Sequence, residues 1–258
     1  MAIAELLCTD LTSVEAALQA GADRIELCAA LEVGGVTPGI GFLRAAVALA
    51  KSHPTGVGIV ALIRPRRGDF LLDGPGGLAL LVAEIAAARE VGAEGVAVGV
   101  LGPDGRVDAA SMAALVEAAA PLKVTFHRAI DHVAEPVEAV RTLIELGVAR
   151  LLTSGGAESA IDGAVRIRSL VDAFGQDLEI VAAGGIHGGN AAEVLRSTGA
   201  PAIHGSCSRR VPSSSHGRTG AAPVRMGAAE GSLREDTRSQ LDPSSARAFV
   251  EAARSSSR

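Results

Sequence analysis

Gly21-Ala22-Asp23-Arg24-Ile25-Glu26-Leu27-Cys28 carries the end of a helical pattern into a short apolar run. The arrangement recurs. Gly92-Ala93-Glu94-Gly95 precedes Val96-Ala97-Val98-Gly99, Gly147-Val148-Ala149-Arg150 precedes Leu151-Leu152-Thr153, and Gly199-Ala200-Pro201-Ala202 precedes Ile203-His204-Gly205. Each time an Ala/Leu/Glu-rich helix stops at a glycine, which takes the left-handed conformation at little cost, and a strand follows. This is the αβ turn of a repeating β-α unit.

Extending that punctuation along the chain gives eight strands, near residues 3–8, 24–28, 58–64, 95–101, 123–129, 150–154, 179–184 and 202–206. Helical patterns lie near 12–20, 40–51, 76–91, 108–119, 135–146, 158–174 and 188–198, and a last one at 243–254 has Asp242 or Ser244 as its cap. The strands are continuous apolar runs, as expected where both faces are buried. Eight such units predict a single-domain (β/α)8 TIM-type barrel over residues 1–258, with an open doubly wound sheet as the alternative. One segment breaks the rhythm: residues 208–240 are rich in Ser, Gly and Arg. They predict a long loop between strand 8 and the last helix, overhanging the C-terminal face.

Composition narrows the function. Of 258 residues, 48% are hydrophobic, with five Phe and no Trp or Tyr, so the core is built of Ala, Leu, Val and Ile. A net charge of −5 offers no general footprint for nucleic acid, and scarce aromatics remove the stacking platform for single strands. No uncharged apolar run reaches the ~18 residues of a membrane span. The start, Met1-Ala2-Ile3-Ala4-Glu5, lacks the basic and apolar parts of a signal peptide, so a cytoplasmic location is expected. Cys8, Cys28 and Cys207 are too sparse for a disulfide framework.

In barrel enzymes the working residues sit at the C-terminal ends of the strands. There this chain presents Glu26 and Cys28, then Arg64-Pro65-Arg66-Arg67-Gly68-Asp69-Phe70, and then Phe126-His127-Arg128 with Asp131. Ser154-Gly155-Gly156 and Gly184-Gly185 are tight turns leading into helices, where exposed N–H groups suit an anion or phosphate. Arg64 and Arg128 are cationic forks for a carboxylate or phosphate. His127, with Glu26 or Asp69, could move protons. Strand parity sends His127 and Arg128 to opposite faces unless the strand has already ended. Cys8 and Cys28 lie on neighbouring strands, and paired thiolates suit Cu(I).

Several of these stretches resemble the copper homeostasis protein CutC family. They are Gly21 to Cys28, Glu32-Val33-Gly34-Gly35-Val36-Thr37-Pro38, Ile63 to Phe70, Gly99-Val100-Leu101, Val124 to Asp131, Leu152 to Gly155, and Pro223-Val224-Arg225-Met226-Gly227. The resemblance implies a cytoplasmic β/α barrel, commonly a homodimer, with a role in copper binding. Where the family's first strand reads Glu-x-Cys, this chain has Glu5-Leu6-Leu7-Cys8. A one-residue shift moves a side chain to the other face of a strand, which would remove half of a cysteine pair. The first function expected is therefore Cu(I) handling, with Cys28 as the leading ligand and Cys8 second, and the alternative is an enzyme for a small anionic or phosphorylated substrate. A metabolite-binding scaffold without catalysis is the third.

Overall fold

The computed structural model describes residues 1–212 and 237–256. The strands are β1 (Ile3–Cys8), β2 (Arg24–Leu27), β3 (Gly58–Leu62), β4 (Gly95–Val98), β5 (Lys123–Phe126), β6 (Arg150–Thr153), β7 (Glu179–Ala183) and β8 (Ala202–Gly205). All pair in parallel, and β8 returns to β1 to close the barrel. Around it lie α1 (Leu11–Ala20), α2 (Ile40–Ser52), α3 (Gly77–Val91), α4 (Ala109–Ala119), α5 (Pro136–Glu145), α6 (Ala164–Phe174), α7 (Ala191–Thr198) and α8 (Pro243–Ser255). The expected (β/α)8 barrel is the observed fold, and the open sheet is not.

Local chemistry explains the boundaries. Asp10 accepts from the Ser13 N–H at 2.7 Å to start α1, and Gly21, at φ +81°, ends it. Of the two candidate caps for α8, Asp242 does the work, accepting from the N–H groups of Ser244 and Ser245. Helices α6 and α7 begin later than the sequence predicts, because turns occupy residues 158–163 and 188–190. The long segment after β8 does not begin or end as loop: β9 (Ser208–Pro212) and β10 (Thr237–Leu241) form an antiparallel ribbon. The motif at Pro223 to Gly227 lies outside the described residues. Among the described residues, no helix is long and apolar enough to cross a membrane.

Alternation along each strand builds two cores. Leu6, Ile25, Leu27, Val96, Leu151, Ile180 and Ile203 face the helices and form the main apolar layer. Inside the barrel are two small apolar clusters, Cys28-Val60-Leu62-Ala97 on one side and Leu152-Val181-Ala183-Ala202 on the other. The N-terminal floor is ionic. Arg24 bonds Glu5 and, at 2.9 Å, Glu179. Arg150 lies 3.7 Å from Glu179 and 2.7 Å from Glu94, which also meets Lys123 at 3.4 Å. Gly95 makes room for this floor, since a Cβ there would lie 2.7 Å from the Lys123 carbonyl oxygen.

Arg24 and Glu5 are 5% and 1% exposed, so removing one partner strands the other. Arg24→Met should cost about 3–5 kcal/mol, read as a fall in the urea midpoint. Pairing it with Glu5→Leu should cost less than the single change. A single-variant cost below ~1 kcal/mol would contradict this account.

Candidate active site

Above the floor a cavity of about 400 Å³ opens at the C-terminal end of the barrel. Its base is a buried polar column. Glu5 from β1, Glu26 from β2 and His204 from β8 each bring a donor atom within 4.8 Å of the others. His204 Nδ1 and Glu5 Oε1 are 2.6 Å apart, and the second Glu5 oxygen bonds Arg24. Burial alone would raise the Glu5 carboxyl, but Arg24 and His204 outweigh it and hold Glu5 well below the usual range. His204 is disfavoured as a cation by burial, yet its hydrogen bond to Glu5 and the charge of Glu26 raise its pKa.

Glu26 has no such anchor. It is 4% exposed, and its Oε2 is buried without a hydrogen-bond partner among the described residues. Burial pushes its carboxyl up to about 7, with His204 opposing that rise and Glu5 adding to it. A carboxyl poised near neutrality beside a histidine shifted toward its charged form is the pattern of an acid and a base in one site.

His127 and Arg128 both reach this cavity, contrary to the parity expected of a continuing strand. β5 ends at Phe126, and the chain enters a 3-10 turn at Arg128–His132 that swings Arg128 back over the mouth. His127 Nδ1 accepts from the Ala129 N–H at 3.3 Å, so the ring proton sits on Nε2. Burial, then the charge of Arg64, drives its pKa down to about 3, leaving the imidazole neutral. Gly99 gives the ring its space, because a Cβ there would lie 2.7 Å from it. Arg64 donates to the carbonyls of Val33 and Gly35 and lies 5.2 Å from the centre of the Phe70 ring.

Other expected site residues are placed differently. Asp69 is exposed and paired with Arg66 at 2.8 Å, and it does not line the cavity. The turn after β6 is not an open anion cradle. Asp131 already occupies it, accepting from the N–H groups of Ser154 and Gly156 at 3.0 Å each and from Thr153 Oγ1 at 2.6 Å. The Gly155 N–H turns to Thr153 Oγ1 at 2.9 Å. Arg128 completes the cluster, donating to Asp131 and to Ser154 Oγ at 2.8 Å each. Gly184 and Gly185 do line the cavity, and their N–H groups take no acceptor among the described residues. The guanidinium of Arg128 sits over Gly184.

The two candidate metal-binding thiols are separated. Cys28 faces the barrel interior and the cavity, whereas Cys8 packs in the helix-facing layer with Val14 and Leu18. Leu7, in register with Glu26, holds the inward position instead. A Cys8–Cys28 pair converging on one ion is therefore corrected by strand parity. Burial raises the Cys28 thiol to about 12, with Glu26 adding to the shift, and Cys8 is raised as well. The column residues Glu5 and His204 were not singled out from sequence as site residues. The available signal was a lone acid inside the apolar run Ile3-Ala4-Glu5-Leu6-Leu7, because a charge buried there needs a partner.

The family model described as CutC matches residues 2–209. The chain belongs to the CutC family. A CutC protein of Mesorhizobium japonicum is 44% identical over 77% of this chain and 74% of its own. One from Photobacterium profundum is 38% identical over 78% and 79%. Among solved structures, a Streptococcus agalactiae protein provisionally named a copper homeostasis protein CutC superposes with a TM-score of 0.75. It is 28% identical, over 80% of this chain and 99% of that one. A thiamine phosphate pyrophosphorylase from Pyrococcus furiosus, at 17% identity and TM-score 0.58, shares the fold.

The raised pKa of Glu26 fixes a sign. Its ordinary value is near 4.5 and its folded value about 7, so the folded state binds this proton more tightly. That contribution to stability is complete below 4.5 and is lost as pH rises through 7. Glu26→Gln should therefore raise the melting temperature relative to wild type by a margin that grows from pH 5 to pH 8. A margin independent of pH would contradict the assignment.

Proposed function

We propose that the cavity binds a small anionic compound, phosphorylated compounds included, and moves a proton on it. The observation that carries this reading is Glu26, whose buried Oε2 has no hydrogen-bond partner among the described residues, in the wall of a cavity that also holds His204, His127 and two arginines. In this reading the Glu26 carboxylate takes a proton from the substrate, and the His204 imidazolium, held by Glu5, returns one. His127, neutral with its proton on Nε2, donates a hydrogen bond to the oxygen on which charge develops. Arg128 and the Gly184 and Gly185 N–H groups bind the anionic end, with Arg64 on the opposite wall. The reading includes the cytoplasmic homodimer that the family resemblance implies.

One chemistry is disfavoured by composition. The chain has two lysines, Lys51 on α2 and Lys123 at the N-terminal floor. Neither lines the cavity, so no side-chain amine is available there to form an imine with a carbonyl substrate.

Copper handling is the second reading, suggested by the name of the Streptococcus agalactiae relative and by the Cys28 thiol facing the same cavity. The residues do not fit a two-thiolate Cu(I) site, because Cys8 packs in the helix-facing layer while Cys28 faces the barrel interior. No step is assigned to copper.

Two measurements separate the readings. Inorganic phosphate and small phosphorylated compounds should raise the melting temperature of wild type, and Arg128→Gln should lose most of that rise. Anaerobic Cu(I) titration against a competing chelator should give no tight complex that depends on Cys28. Stoichiometric Cu(I) binding abolished by Cys28→Ala, without any anion effect, would reverse the order of the two readings.

A further inference from the structure

The polar column holds a donor set for which the proton-transfer reading gives only one use. Glu5, Glu26 and His204 come from three strands, and one donor atom from each lies within 4.8 Å of the other two. All three side chains are buried, at 1%, 4% and 8% exposure. One of them is also short of a partner: Glu26 Oε2 is out of contact with solvent and accepts nothing among the described residues. Such an oxygen is costly to bury, and a bound cation is one of the few things that would satisfy it.

We infer that Glu5, Glu26 and His204 form a binding site for a divalent ion of the zinc type. Two carboxylates and one imidazole are hard-to-borderline donors, which suit Zn(II) or Mn(II) and not Cu(I). Three protein ligands with one position open to a cavity is the arrangement of catalytic zinc sites. Glu26 and His204 both line the cavity, so the open position faces it. Arg24 does not ligate. It bonds the second oxygen of Glu5 and is itself held by Glu179 at 2.9 Å, so it fixes the orientation of the ligating carboxylate. Binding the ion would break the hydrogen bond between His204 Nδ1 and Glu5 Oε1, now 2.6 Å apart, and release its proton to solvent, with no change of oxidation state. Occupation by metal and action as an acid–base pair are mutually exclusive, because the ion takes the lone pairs that would carry the protons.

The test is calorimetric titration of the full-length, chelator-treated protein with zinc chloride, followed by X-ray absorption on the zinc-loaded protein. One zinc per chain is expected, with nitrogen and oxygen ligands near ~2.0–2.1 Å and no sulfur near ~2.3 Å. Glu26→Gln, checked for folding by circular dichroism, should weaken binding by more than about 10-fold. His204→Gln should do the same and should also remove the imidazole signature from the absorption spectrum. Absence of stoichiometric binding by the folded protein would overturn the inference. So would affinity unchanged in Glu26→Gln, or a sulfur ligand in the spectrum. The phosphate-induced rise in melting temperature of zinc-free protein reads anion binding independently of zinc, so that part of the proposed function and the zinc site fail separately. Stoichiometric zinc would displace the acid–base role of Glu26 and His204.

Discussion

The ion pair between Glu5 and Arg24 joins the two halves of the barrel interior. Below it, Arg24 reaches Glu179, and through Arg150 the network continues to Glu94 and Lys123. Above it, the free oxygen of Glu5 meets His204, and His204 borders the cavity. Charges buried this deeply are tolerated only when each has a partner of opposite sign and adequate hydrogen bonds. In the floor each charge meets one of opposite sign, although Arg150 Nη1 makes no hydrogen bond among the described residues. In the column above it, Glu26 is where the pairing runs out. The chemistry of the site follows from this shortfall: the same strands that neutralise one carboxylate leave the next with a raised pKa.

Much of the architecture was legible because it depends on local signals. Glycines after helical runs marked the αβ turns, and Gly21, Gly92, Gly147 and Gly199 all adopt positive φ. The turn of Cys8 away from the interior followed from parity alone, since Glu5 and Cys8 are three residues apart on one strand. What escaped was non-local or depended on where a strand stops. Nothing in residues 123–131 announces that β5 ends at Phe126, yet that ending brings His127 and Arg128 to one cavity. The Ser154-Gly155-Gly156 turn has the composition of an anion site, and only its contact with Asp131, more than twenty residues earlier, shows that a side chain fills it. Asp69 was placed at the site by residue type, and its short-range pairing with Arg66 holds it at the rim.

The two glycine turns show how similar sequences part in function. After β6 a buried carboxylate takes the N–H groups, and the hydrogen bonds from Thr153, Arg128, Gly156 and Ser154 keep it charged against the cost of burial. After β7 the N–H groups of Gly184 and Gly185 take no acceptor among the described residues, and the Arg128 guanidinium lies beside Gly184. Asp131 thereby anchors Arg128 on one side while the other side of the guanidinium stays free, so the mouth is ordered before anything enters it.

The β9–β10 ribbon has a different consequence. Ser208 and Leu241 stand in register at its base, so the chain leaves the barrel and rejoins it at adjacent points. Because the Asp242 cap follows directly, α8 starts from a fixed position whatever lies between the two ribbon strands. The entropy of closing a longer excursion grows only with the logarithm of its length. The last turn of the barrel is thus insulated from the length of whatever the ribbon closes.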